Sequence, residues 1–513
     1  TILLKVKRFL IFITLGLTIL MGWMFWNMSQ FTSKQINVLP IDYISQYDIS
    51  KNQNKLDKID TLSRSFSENI PIQNLSEAIK YKTISYQDSI FSDPIHFLSF
   101  HKFLERTYPT IFGTLDKTVF SNYSILLRWS GKSNSPHNPI LLMAHMDVVP
   151  IESPEDWTHP PFSGTIDDNY IWGRGAIDDK SSLIAILESI EYLLESGFIP
   201  NRDIYIAFGH DEENTGKYGN SLISESLSQE GIYFDMVLDE GSIISDGIIQ
   251  GIKKPLAVIG IAEKGYVSLE LIANHTSGHS SMPKNQTTIG KLSKAIVNLE
   301  RHKMDPKIIE PVQHFFNFLG PEMSIQNRFL LSNSSFFSSS ILNRLDQDPL
   351  TSAMIRTTIA PTMVSGGVKS NVLPSTARAI VNFRIRQGDS ISKVKNHVIN
   401  VINDPDITVN IIKSDLYTEP SKVSSVDSPE FNIIHRTIKE IFGDVMVSPG
   451  LVLAATDSRH FEKISKNIYR FMPIQLESKD ISMIHGKNEK ISKESFLIMI
   501  QFYIQLIKNI HAS

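Results

Sequence analysis

The residues in this sequence with the strongest chemical character are histidines and paired acids, gathered at a few junctions. AHMDVVP (Ala144 to Pro150) sets His145 and Asp147 two positions apart at the end of an apolar run, Ile140 to Met143. Side chains two apart on an extended strand share a face. His145 can therefore offer an imidazole to a cleft as a metal ligand while Asp147 fixes its tautomer. WGRGAIDDK (Trp172 to Lys180) brings Asp178 and Asp179 to the start of a helix. HDEEN delivers His210, Asp211, Glu212 and Glu213 straight after an alternating strand, Asp203 to Gly209, and Asp239-Glu240-Gly241 follows the run Met236 to Leu238.

Each of these has a plain reading. An acidic pair at a helix start complements the dipole and caps free N–H groups, and a Glu-Glu turn is unremarkable when solvated. Their recurrence at the ends of apolar strands weighs the other way, because buried carboxylates are costly without cations or donors. Several carboxylates converging with a histidine cannot all stay ionised without cations. One glutamate can then ligate metal while its neighbour takes a proton from water. Oxygen and imidazole donors without thiolate suit zinc, cobalt or manganese.

The elements that must position these groups alternate, strand then helix, from Tyr123 to Leu238. That pattern predicts a doubly wound α/β sheet whose ligands bind at the carboxyl ends of its strands. After Lys254 the pattern changes. Val267, Leu269 and Leu271 alternate, HTSGHSSMP (His275 to Pro283) follows, and a helix is expected over Thr288 to Arg301. Strands are expected again over Met354 to Ala360 and Ala377 to Ile385. We read 263–385 as an inserted α+β domain. The catalytic domain is expected in two parts, 66–262 and 386–513, the second opening with a helix (Ile391 to Asn403) and a strand (Ile407 to Lys413).

With 513 residues the chain is too long for one ordinary core. A net charge of −4 without long charge runs leaves no nucleic-acid footprint. The absence of cysteine excludes disulfides, thiolate zinc sites and cysteine nucleophiles. Lys5, Lys7 and Arg8 precede an uncharged stretch, Phe9 to Trp26, long enough at about 1.5 Å per residue to cross a bilayer. We read 1–30 as a transmembrane anchor and 31–65 as a linker. The basic flank puts the body on the exported side (periplasm, lumen or extracellular). Cleavage as a signal peptide, giving a secreted protein, is the alternative, though no small-x-small site follows Trp26. The chain opens on Thr1 rather than Met, so an upstream segment is expected.

HMDVVP, GRGAIDDK, GHDEE, LDEG, TSGHSS, NVLP, TDSR and HGKNEKIS occur here in the order found in the aminoacylase and carboxypeptidase S metallopeptidase family. The resemblance runs from about Asn74 onwards. LSEAIKYKTIS, EKGYVSLEL and IHGKNEKIS resemble its carboxypeptidase S and N-fatty-acyl-amino-acid hydrolase branch. It implies a catalytic domain holding two zinc ions, replaceable by Co2+ or Mn2+, and an inserted lid that forms a homodimer. It further implies that His145 binds the first zinc with Asp147 orienting it, that Asp178 bridges both ions, and that the Asp178-Asp179 peptide is cis. Glu213 and His485 then hold the second zinc, Glu212 is the general base, and Asp239 or Glu240 completes the first site. His279 matches a lid histidine that polarises the scissile carbonyl, and Asn371 and Arg459 match positions that bind the substrate's carboxylate. The implied activity is hydrolysis of N-acyl amino acids, or of peptides with a free C-terminal carboxylate. An inactive membrane-tethered scaffold on the same fold is the other class, and the intact ligand set argues against it.

Overall fold

The computed structural model describes residues 2–41, 69–86, 94–132, 135–247, 251–283, 285–412, 417–477 and 479–512. Most of the expected 31–65 linker lies outside them. In chain order the strands begin with β1 (Asp116–Phe120), β2 (Ser124–Trp129), β3 (Ile140–His145), β4 (Thr165–Ile166), β5 (Tyr170–Trp172) and β6 (Ile204–Gly209). They continue with β7 (Met236–Asp239), β8 (Ile244–Asp246), β9 (Leu256–Glu263), β10 (Gly265–Asn274), β11 (Gly278–His279), β12 (Thr358–Gly366) and β13 (Val372–Leu373). The last are β14 (Thr376–Ile385), β15 (Ile407–Ile411), β16 (Met446–Val452), β17 (Ile468–Arg470), β18 (Gln475–Glu477) and β19 (Lys490–Ser492).

A mixed sheet of 10 strands runs β1-β2-β6-β3-β7-β17-β9-β8-β18, with β16 pairing to β9. At its centre β3 lies parallel to both β6 and β7. All three are buried along their whole length, which is why they read as continuous apolar runs. Alternate residues feed two layers. Leu142, Ile206 and Leu238 face the helices Lys180–Glu195, Pro429–Phe442 and Lys493–Ala512. Leu141, Met143, Tyr205 and Val237 face Ile223, Leu227 and Phe461. Register aligns Leu142 with both Ile206 and Leu238, and His145 with Gly209, so the three strands deliver their C-terminal residues side by side.

A second sheet, antiparallel, runs β12-β14-β10-β15. It carries the helices Thr288–Arg301 and Ile391–Ile402 and a core of its own, including Leu269, Val381, Phe383, Leu292 and Val398. This corrects the expectation that the catalytic domain resumes at 386. The helix and strand over 391–411 belong to the second sheet, with β15 paired to β10 from Leu269–Ile411 to Ala273–Ile407. The stripe Val394, Val398, Ile402 foretells a helix, but periodicity does not say which sheet it covers. The stretch within 308–355 departs from the insert in the opposite sense. Helix Glu310–Leu319 packs Val312, Phe315, Phe316 and Leu319 against Leu256, Met446 and Leu451 of the large sheet's β9 and β16.

The N-terminal helix Ile2–Gln30 leaves nearly all its apolar side chains exposed, among them Phe9, Phe12 and Trp26. Lys5–Gln30 is long and apolar enough to cross a membrane.

Candidate metal centre

The C-terminal ends of β3, β6 and β7 bring three of the sequence's acidic junctions together, and the loops before Lys180 and before β19 close on them. Asp178 is the joint. Its Oδ1 lies 2.9 Å from His145 Nε2, and Glu240 Oε1 lies 3.5 Å from the same nitrogen. Its Oδ2 lies 3.0 Å from His485 Nε2, with Glu213 Oε2 3.3 Å from that nitrogen. One carboxylate therefore faces two donor sets, His145 with Glu240 and His485 with Glu213. Donor atoms of His145, Asp178 and Glu213 all lie within 4.8 Å of one another, as do those of His145, Asp179 and Glu240. The Asp178-Asp179 peptide is cis.

The donor chemistry fits divalent cations. Glu213 Oε1 is buried with no hydrogen-bond partner among the described residues. Burial, reinforced by Asp178, pushes the carboxyls of Glu213 and Glu240 up to about 7. Burial also lifts Glu212 well above the usual carboxylate range. Opposite them, hydrogen bonds to Asp178 and Glu213 raise His485 to about 10. Burial works against a charge on His145, yet its bonds to Asp147, Asp178 and Glu240 raise it well above its ordinary value. A cation would neutralise such a cluster with its carboxylates ionised and its imidazoles neutral.

The supporting contacts explain how the loops hold this shape. His145 Nδ1 lies 2.9 Å from the backbone carbonyl oxygen of Asp147 and 3.4 Å from its Oδ1, so the backbone rather than the carboxylate is the nearer group fixing the tautomer. The Asp147 carboxylate is engaged elsewhere. It accepts the N–H groups of Glu212 (3.2 Å) and Glu213 (3.1 Å) and the hydroxyl of Ser85 (2.7 Å), which fixes the Glu-Glu turn. Glu489, fully buried, accepts the N–H groups of Gly175, Ile177 and Asp178 through Oε1 and pairs with Arg174 through Oε2 at 2.6 Å. Arg174 donates in turn to the carbonyls of His485 (3.1 Å) and Gly486 (3.0 Å). Asp178 and His485 are thus tied by one buried ion pair. Sequence reading passed over Glu489, although the NEK in HGKNEKIS carries it.

Not every expected residue joins the centre. Asp239 turns away and accepts the Ser458 N–H at 2.8 Å, leaving Glu240 as the member of that pair facing His145. Arg459 is held behind the Glu-Glu turn, donating to the carbonyls of Thr456 (2.7 Å) and Thr215 (2.9 Å). His279 on β11 and Asn371 just before β13 meet at the β11–β13 ribbon, where Ser280 N–H donates to the Asn371 carbonyl at 3.2 Å. His279 is exposed, its Nδ1 2.7 Å from Ser281 Oγ, and among the described contacts neither residue reaches the acidic centre. A residue the sequence reading missed lies near Arg459. Arg384 stacks on Tyr266 at 4.5 Å, and burial together with the Arg459 charge lowers it from the ordinary arginine value. No carboxylate pairs with Arg384 among the described residues. Inside an alternating strand, VNFRI, it reads only as a polar outward position.

The family profile of Peptidase family M20/M25/M40 matches residues 141–509. The "Probable carboxypeptidase S-like 2" of Dictyostelium discoideum is 41% identical over 490 residues, covering 94% of this chain and 90% of its own. "N-fatty-acyl-amino acid synthase/hydrolase PM20D1" of Xenopus tropicalis is 40% identical over 445 residues, 85% of each chain. Among solved structures, an M20 family metallo-carboxypeptidase from Sulfolobus solfataricus superposes with a TM-score of 0.63 at 19% identity, over 86% of this chain and 99% of that one.

Proposed function

This chain belongs to the M20/M25/M40 peptidase family and is an amide-bond hydrolase, and from that premise we propose that it is a two-zinc enzyme cleaving amides of amino acids that keep a free carboxylate. N-acyl amino acids and peptides with a free C-terminus share that feature. The observation that carries the reading is the single Asp178 carboxylate set between a His145–Glu240 pair and a His485–Glu213 pair. These five residues would hold the metals. Bound there, divalent cations polarise a carbonyl oxygen and lower the pKa of water.

The rest is done by the chain's own groups. Glu212, on the Glu-Glu turn fixed by Asp147, accepts the proton of the attacking water as the new C–O bond forms. It returns that proton to the amine nitrogen as the C–N bond breaks. His279 stabilises the oxyanion, brought to the centre from the β11–β13 ribbon of a partner subunit in a homodimer. Arg384, with no carboxylate paired to it among the described residues, and Arg459 near it receive the carboxylate of the substrate, with Asn371 as a further polar contact. The N-terminal helix anchors the enzyme in a membrane with the body on the exported side.

The test is a matched pair of substrates, an N-acyl amino acid and its carboxamide. Hydrogen bonds to a charged group contribute about 1.5–3 kcal/mol each, so kcat/KM should fall at least ~10-fold for the carboxamide. Equal turnover of both would overturn carboxylate recognition. A metal content well under two ions per active chain would overturn the two-zinc centre.

A further inference from the structure

The last turns of the N-terminal helix do not stand free of the body. Asn27 Nδ2 donates to Asn333 Oδ1 at 3.0 Å, and Asn333 Nδ2 donates back to the Met24 carbonyl at 3.2 Å. Arg328 donates to the Met28 carbonyl at 3.3 Å, placing a cation at the negative end of the helix dipole. Phe25 and Phe329 rings lie 5.2 Å apart. All three partners on the body, Arg328, Phe329 and Asn333, come from the helix Ile325–Ser332 and the turn after it.

Trp23 and Trp26 mark where a membrane-crossing helix meets the headgroups, the depth at which amphipathic rings collect. Phe336 lines the same cleft as these two tryptophans, so the body reaches that depth as well. It does so with apolar groups turned outward: Ile325 is 75% exposed, Phe336 60% and Leu350 44%. Beside them the helices line an open, largely apolar pocket of about 490 Å3 with Phe315, Leu319, Leu331 and Ile341 among others. The segment therefore carries more apolar surface than its own packing uses, and the surplus lies beside the helix exit. Exposed apolar patches of this kind mark a binding surface.

We propose that Ile325 to Leu350 is an interfacial membrane-binding surface whose partner is the lipid of the bilayer crossed by the N-terminal helix. This rests on reading that helix as a membrane span. Ile325 and Phe336 dip into the headgroup boundary, and the Asn27–Asn333 and Arg328–Met28 contacts hold the body against it in one orientation.

The chain has no cysteine, so a single engineered one can carry an environment-sensitive fluorophore at a known place. Four full-length variants, Trp23→Cys, Ile325→Cys, Phe336→Cys and Val119→Cys, are labelled and reconstituted in phosphatidylcholine vesicles containing headgroup-level nitroxide lipid. Val119 lies on β1, the edge of the large sheet away from β16, and serves as the distant site. We expect the Ile325 and Phe336 labels to lose fluorescence to a degree comparable with Trp23, and Val119 to lose none. Quenching at Trp23 without quenching at Ile325 and Phe336 overturns the surface while the membrane span stands. Quenching at none of the four overturns both, and equal quenching at all four, Val119 included, overturns the surface as non-specific adhesion. Unchanged melting midpoints confirm that each labelled chain is folded.

Discussion

Glu489 offers the sharpest test of how the centre is assembled. In Glu489→Gln the Arg174 guanidinium stays buried, 3% exposed, and loses its counter-charge. Leaving one partner of a buried pair uncompensated costs about 3–5 kcal/mol. The Gln side-chain oxygen can still accept from Gly175, Ile177 and Asp178, so those donors need not add to the loss. Glu489→Ala removes that acceptor too, adding about 1–3 kcal/mol for each donor that water fails to reach. A loss near 4 kcal/mol should lower the urea midpoint by roughly 1 M in a protein of this size. Because the pair ties the Asp178 loop to the His485 loop, Co2+ titration should show weakened binding at one of the two positions. The double variant Arg174→Met/Glu489→Gln removes both charges, so its cost should fall below the sum of the single changes. A Glu489→Gln chain with the wild-type midpoint and wild-type Co2+ binding would refute the argument that this pair holds the two donor sets together.

Glu212→Gln keeps the size of the side chain and removes the proton acceptor, so kcat should drop by about 10²–10⁴ while metal content stays unchanged. Burial, with Asp457 nearby, pushes the Asp211 carboxyl from its ordinary value of 3.8 up to about 8. The folded chain then binds more protons than the unfolded one between those values, so the stability of the metal-free protein should fall as pH rises through that window. Asp211→Asn should flatten this slope, as urea midpoints at a series of pH values will show. Glu212→Ala and His279→Ala chains should each be inactive alone and regain part of the activity when co-refolded, since a mixed dimer holds one site with both groups intact. Absence of recovery in demonstrably mixed dimers rules out a shared site.

The centre was legible where its chemistry is adjacent in sequence. His145, Glu212 and Glu213 stand at or just beyond the ends of apolar runs, because a parallel sheet must bury its strands and present its polar groups where they stop, and Asp178 stands in the turn that starts a helix. Choosing between Asp239 and Glu240 needed the structure. Consecutive residues at a strand end point to opposite sides, so one of the two had to face away, and that one is Asp239. Arg384 was invisible because a charged residue in an alternating strand is ordinary until its surroundings are known. Helix Ile391–Ile402 was foreseen as a helix and given to the wrong sheet, since its stripe fits any flat apolar surface equally well. His279 and Asn371 lie together, and among the described contacts neither reaches the acidic centre.

The donor sets differ in how they are built, and the difference follows from topology. His145 and Glu240 end neighbouring parallel strands, so forming the central sheet places both. Glu213, on the turn after β6, shares that support, and His485 does not. His485 is 54% exposed and sits at φ 59° in the loop before β19. Its position comes from pairing across more than 300 residues of sequence, with Trp172 against Lys490 in the β5–β19 register and the Glu489–Arg174 pair beside it. Lys490 adds a cation over the Trp172 ring at 4.1 Å. The His145 set is therefore complete once the core has formed, whereas the His485 set exists only when β19 has docked. Loosening β19 should cost metal at the His485 position first. The Asp178 carboxylate, shared between the two, is where such a loss is felt by the set that remains.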